Sequence, residues 1–120
     1  MSSFVRYANI DFRPPTKVGV LAEKGLAFRD QYHRGGTEVG IARGRDLKNR
    51  VTLSPMTIKR MVSYFARHTV DKRAPNFGND KKPSNGYIAW LLWGGDAGQA
   101  WALSVRDKMR KADEKMNEYI

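Results

Sequence analysis

The sequence predicts a mostly all-α protein: a compact single domain of about five helices around a tryptophan-rich central helix, preceded by an extended N-terminal arm. Three observations carry this. Apolar residues recur at three- and four-residue steps in several segments, as they do along one face of a helix. Ser-Pro, Thr and Gly-Gly signals stand where those segments begin and end. The run Tyr87-Ile88-Ala89-Trp90-Leu91-Leu92-Trp93 is apolar on every side, which suits a helix enclosed by the others.

Residues 1–15 are expected to form the arm. Phe4, Val5, Tyr7, Ile10 and Phe12 give it apolar anchors, and Pro14-Pro15 keeps a helix from running through it. The arm is also the one place with room for a strand. The helical domain then covers residues 16–120. Thr16 is read as the cap of a helix over 17–33, with Val18, Leu21, Ala22, Gly25, Phe28 and Tyr32 on one face and Gly35-Gly36 ending it. Gly19 and Gly25 each weaken that helix by about 1 kcal/mol relative to Ala, which points to close packing against a neighbour.

Thr37 caps a short second helix over 38–47, with Val39, Ala42 and Leu47 inward and Arg43 and Arg45 outward. Residues 48–53 connect it to a third helix over 55–68, which Ser54-Pro55 starts with a capping hydroxyl and a proline at the first helical position. Ile58, Met61, Val62, Phe65 and Thr69 form its inner stripe. Lys59, Arg60, Ser63 and Arg67 form the opposite one. Residues 70–83, broken by Pro75, Gly78 and Pro83, read as an exposed, mobile basic loop. Ser84 caps the central helix over 85–93, and Gly94-Gly95 ends it. Asp96 begins the last helix, with Gln99 placed for a capping box and Trp101, Val105, Met109, Ala112 and Met116 as its inner stripe.

Charge is the strongest compositional signal. The 120 residues carry 22 Lys and Arg against 12 Asp and Glu, a formal charge of +10. Between Ala42 and Lys82 stand eleven basic residues and three acidic ones, so that third of the chain holds eight of the ten excess charges. Concentrated positive charge attracts phosphate chains through counterion release. The candidate nucleic-acid contacts are Arg43, Arg45, Lys48 and Arg50 on and after the second helix, and Lys59, Arg60, Ser63 and Arg67 on the third. Lys72, Arg73, Lys81 and Lys82 of the loop complete the set. A row at four-residue steps (Lys59, Ser63, Arg67) can follow successive phosphates, and equally it can be the solvated face of an amphipathic helix. The connector before that helix, about six residues, is longer than in a helix-turn-helix. Phe77 is open to two readings: a base-stacking residue among cations, or a ring folded back on the core. Trp90, Trp93 and Trp101 at helical spacing read as core rather than as a stacking platform.

Signals for covalent chemistry are weak. Cysteine is absent, which excludes disulfides and thiolate metal sites and suits a reducing compartment. His33 and His68 each lack a second ligand at metal spacing, so no metal or other cofactor is expected. No P-loop, H-E-x-x-H or G-x-S-x-G occurs. Gly35-Gly36-Thr37 at a helix start is a weak phosphate signal. Asp30, Glu38, Asp46 and Asp71 have no spacing that pairs them as a nuclease metal site. No apolar run reaches the roughly 20 residues of a membrane span. Met1 to Ile10 lacks the apolar stretch of a secretion signal.

The segments Arg34-Gly35-Gly36-Thr37 to Leu47, Leu53-Ser54-Pro55 to His68, and Tyr87-Ile88-Ala89-Trp90-Leu91-Leu92-Trp93-Gly94-Gly95-Asp96-Ala97-Gly98 to Ala102 resemble a small module of tailed-bacteriophage proteins. That module stands alone or is attached to head-morphogenesis and other phage proteins, and the resemblance spans about residues 14–102. It implies a phage setting in the host cytoplasm or the virion, and no mechanism. The expected function is therefore a phage-encoded, non-enzymatic nucleic-acid-binding protein, with DNA favoured over RNA. The alternative is a protein-interaction module, either a head or virion component or a binder of an acidic host target such as the transcription machinery. An exposed apolar patch, for instance Phe4, Tyr7 and Phe12, would favour the alternative. A small nuclease stands third.

Overall fold

The computed structural model describes residues 6–117. Those residues form five α-helices and one 3-10 turn, with no strand among them. The helices are α1 (Thr16–Tyr32), α2 (Glu38–Lys48), α3 (Pro55–His68), α4 (Asn85–Leu92) and α5 (Gly95–Asn117). The 3-10 turn spans Thr69–Arg73. The short α4 sits in the middle and touches every other helix. Ile88 and Leu92 are fully buried and Trp90 nearly so. An apolar, uncharged segment of eight residues can take that place because it carries no charge to desolvate.

Side-chain caps set three of the starts as expected. The Ser54 hydroxyl accepts from the Thr57 N–H at 3.1 Å, with Pro55 at the first helical position of α3. The Ser84 hydroxyl accepts from the Tyr87 N–H at 3.0 Å. Thr37 caps α2 in the same way, through the Gly40 N–H.

Three other termini differ from the sequence reading. Thr16 is the first residue inside α1 rather than its cap. Pro15 holds the cap position in an extended conformation, and its carbonyl accepts from the Val18 and Gly19 N–H groups. At the other end His33 adopts the left-handed conformation and donates to the Arg29 carbonyl, so α1 closes two residues before Gly35. The Asp96 carboxylate also does not cap α5. It accepts from the Trp90 indole N–H and from the Lys72 ammonium, both at 2.9 Å, because burying Trp90 strands an N–H that needs a partner.

Glycine faces decide which side of two helices turns inward. In α1 the buried positions are Val18, Gly19, Ala22 and Gly25, and in α2 they are Gly40, Gly44 and Leu47. A β-carbon on Gly19 would lie 2.9 Å from the Leu47 carbonyl oxygen, and one on Gly44 would lie 3.1 Å from a Leu92 methyl. The packing expected of Gly19 and Gly25 is present. For α2 the expectation changes: Val39 and Ala42 are exposed and Arg43 is turned inward. Counting apolar residues missed a contact surface made of residues without side chains.

The stretch expected to be a mobile loop is tied down. Its first part is the 3-10 turn. The Phe77 ring packs on Tyr87 and Trp90, with centroids 5.2 and 6.0 Å away. Lys24 pairs with Asp80 at 3.0 Å, Tyr32 donates to the Lys81 carbonyl, and Pro83 is buried. Of the two readings of Phe77, the ring folded onto the core is the one observed.

The arm, too, belongs to the core. Tyr7 is buried and donates to Asp113 of α5 at 2.8 Å, and Arg6 pairs with the same carboxylate. The Leu53 N–H reaches the Phe12 carbonyl through a single backbone bond, too little for a strand. Phe4 and Val5 lie outside the described residues. No helix among the described residues is long and apolar enough to cross a membrane.

Candidate nucleic-acid interface

The α3 helix has a hydrophobic side and a cationic side, and the cationic side forms one lip of a groove. The buried side is Thr57, Ile58, Met61, Tyr64 and Phe65. Lys59, Arg60, Ser63 and Arg67 are all exposed and line a groove of about 820 Å³. The opposite wall is built from Gly36, Thr37 and Val39 at the start of α2 and from Asn85, Gly86 and Ala89 of α4. Lys59, Arg60 and Arg67 form no ion pair among the described residues, so their charge is free to act on a ligand. Helix starts carry partial positive charge, and two of them, those of α2 and α4, open on the same groove.

The floor is aromatic. Tyr64 stacks on Trp93 with centroids 4.5 Å apart and planes 9° apart. His68 stacks on the other face of Tyr64 at 4.4 Å and 25°. The Arg43 guanidinium lies over the Trp93 ring, 5.7 Å from its centroid. All three rings also line the groove. Tyr64 is only 5% exposed, and its hydroxyl has no hydrogen-bond partner among the described residues. Burial, with the Asp71 charge adding to it, holds that hydroxyl far above its usual range, so it stays protonated. Among the described residues Asp71 is the one carboxylate lining the groove, and it is engaged by His68 Nδ1 at 3.2 Å.

The remaining cations expected from the sequence divide into two groups. Arg45, Lys48, Arg73, Lys81 and Lys82 are exposed but line no part of this groove. Arg43, Arg50 and Lys72 are used within the fold. Arg43 pairs with Asp46 at 3.0 Å with its side chain 12% exposed. Arg50, itself at positive φ, donates from Nε to the Pro14 carbonyl at 2.8 Å. Lys72 pairs with Asp96 and sits over Trp90 at 4.8 Å. The expected row Lys59–Ser63–Arg67, with Arg60, is therefore brought together, and the loop cations lie elsewhere.

Sequence reasoning missed Tyr64, His68 and Trp93 as parts of the site. One signal was present: Tyr64 and His68 stand four residues apart and must share a side of α3. Trp93 had been assigned to the core, and it is both core and groove floor. Among the described residues no three His, Asp or Glu gather as a metal site, and Asp46 and Asp71 are paired separately. Compared with known proteins, the chain matches no family model, no curated protein and no solved structure.

Proposed function

We propose that this protein binds nucleic acid without catalysing a reaction on it, and that the α3 groove is the contact. One observation carries the reading. Three cations without an ion-pair partner among the described residues, Lys59, Arg60 and Arg67, stand together on the lip of a concave site in a chain whose net charge is +10. Phosphates supply the complementary charge, and their repeat suits cations spaced along a helix. With the phage setting that the resemblance implies, DNA is the expected polymer, met in the host cytoplasm or the virion.

Replacing Lys59, Arg60 and Arg67 together with Ala tests this. All three are exposed, so the fold should be kept and the melting temperature should stay within a few degrees. Affinity for a labelled oligonucleotide at low salt should fall roughly ten- to a hundredfold, the loss expected for three phosphate contacts. Unchanged affinity removes α3 from the interface.

A further inference from the structure

We propose that the groove receives a nucleobase turned out of a single strand, and that the outer face of His68 is the surface on which it stacks. This rests on the nucleic-acid reading above and makes it specific.

The stacked column explains why His68 is singled out. The inner ring is already covered: Tyr64 is stacked by Trp93 and by His68. His68 has Tyr64 on one face only, and its side chain is 41% exposed. The column thus ends in the groove with one ring face open, and a base laid there continues the stack. The orientation of that ring is fixed. Asp71 holds Nδ1 at 3.2 Å, and Asp71 is itself seated against Gly86, where a β-carbon would lie 2.7 Å from the Asp71 β-carbon. Such fixing favours stacking, because a freely turning ring loses entropy when a base covers it.

The surroundings fit a base with its phosphates outside. Val39 and Met56 line the groove while 59% and 57% exposed, and they offer apolar cover to a ring. Lys59, Arg60 and Arg67 stand on the same helix as His68 and meet the backbone that carries the base. A duplex gives up a base face only at the cost of unpairing and unstacking it, about a few kcal/mol, whereas a single strand presents one without breaking a pair. An acidic peptide would satisfy the cations and the apolar lip but has no use for an open ring face at the end of a stacked column.

The test compares two labelled 12-mers with the same phosphates: a normal single-stranded DNA and a fully abasic one. Binding is followed by anisotropy at low salt, with a poly-glutamate peptide as a third ligand. Wild-type protein should bind the normal strand roughly tenfold or more above the abasic one, the scale of one stacked base. His68→Ala should lose that preference and keep the abasic affinity, while His68→Phe, which retains a flat ring, should keep the preference. Since the strand comparison is made on wild-type protein, a folding defect in a variant cannot hide the answer. Equal binding of both strands overturns base insertion and leaves the phosphate contacts standing. Binding of neither strand overturns base insertion, and failure of labelled duplex DNA to bind as well overturns the nucleic-acid reading; poly-glutamate binding in that case identifies an acidic peptide as the occupant.

Discussion

Gly25→Ala sets two physical effects against each other, and the structure decides the sign. Gly25 is in the middle of α1, where Ala is the better helix former by about 1 kcal/mol. Judged by helix propensity alone, the substitution stabilises. In the fold, the added β-carbon would lie 2.7 Å from the Leu92 amide nitrogen and 2.9 Å from the Leu91 carbonyl carbon and β-carbon. Ordinary contact begins near 3.4 Å, so α1 and α4 would have to part by roughly 0.7 Å. Two of the three neighbours are backbone atoms of the central helix, which cannot swing away as a side-chain end can. Overpacking of this kind costs about 1–3 kcal/mol, and here the upper end applies. The net effect is a loss of about 1–2 kcal/mol, or a fall in melting temperature of about 4–8 °C for a domain this size. Thermal unfolding followed by circular dichroism reads it directly. Ala27→Gly, at an exposed position of the same helix, is the control and should cost about 1 kcal/mol by propensity. A Gly25→Ala protein that melts at or above the wild type would refute the close-packing argument for the α1–α4 contact.

Other substitutions test the remaining buried polar groups. Asp96→Ala strands the Trp90 indole N–H and should cost about 1–3 kcal/mol in chemical denaturation, a large effect for a mostly exposed carboxylate. Tyr64→Phe removes a buried hydroxyl without a partner among the described residues and should leave stability unchanged or raise it by about 1 kcal/mol. Burial holds the Tyr64 hydroxyl above the usual tyrosine range, so the fold keeps its stability below about pH 10 and loses some of it as pH rises further; Tyr64→Phe should weaken that alkaline loss in a pH series of melts. Asp80, held below 3.8 mainly by its bond to Lys24, and Asp96, held down mainly by Lys72, act at the other end. Their stabilisation is present above about pH 4 and disappears as pH falls through their lowered values, so an Asp80→Ala, Asp96→Ala double variant should show a shallower acid slope there.

The parts of this fold that sequence made legible are those written in single residues. Ser54-Pro55 marks the start of α3 because a capping hydroxyl and a preset proline φ act locally, and the helix follows over 55–68 as expected. The all-apolar run of α4 marks the centre for an equally local reason. What stayed hidden depends on neighbours. The inward turn of Arg43 follows from a glycine face on α2, and glycines give no apolar signal to count. The ordering of 70–83 follows from Phe77, Asp80 and Lys81 meeting Trp90, Lys24 and Tyr32 across the chain. The site was half legible. The cationic row was visible as a helical stripe, but its aromatic floor unites α3 with Trp93 just beyond the end of α4, and no periodicity links them.

The central claim is that Lys59, Arg60 and Arg67 meet phosphates, and the salt dependence of binding tests it most directly. Association of wild-type protein with a single-stranded oligonucleotide is measured from about 50 to 300 mM salt and plotted as log affinity against log salt. Each phosphate neutralised on a single strand adds about 0.7 to the slope. The triple alanine variant should therefore be shallower than wild type by about two units, with its fold unchanged by circular dichroism. Equal slopes for the two proteins would contradict the claim, even if the wild type binds.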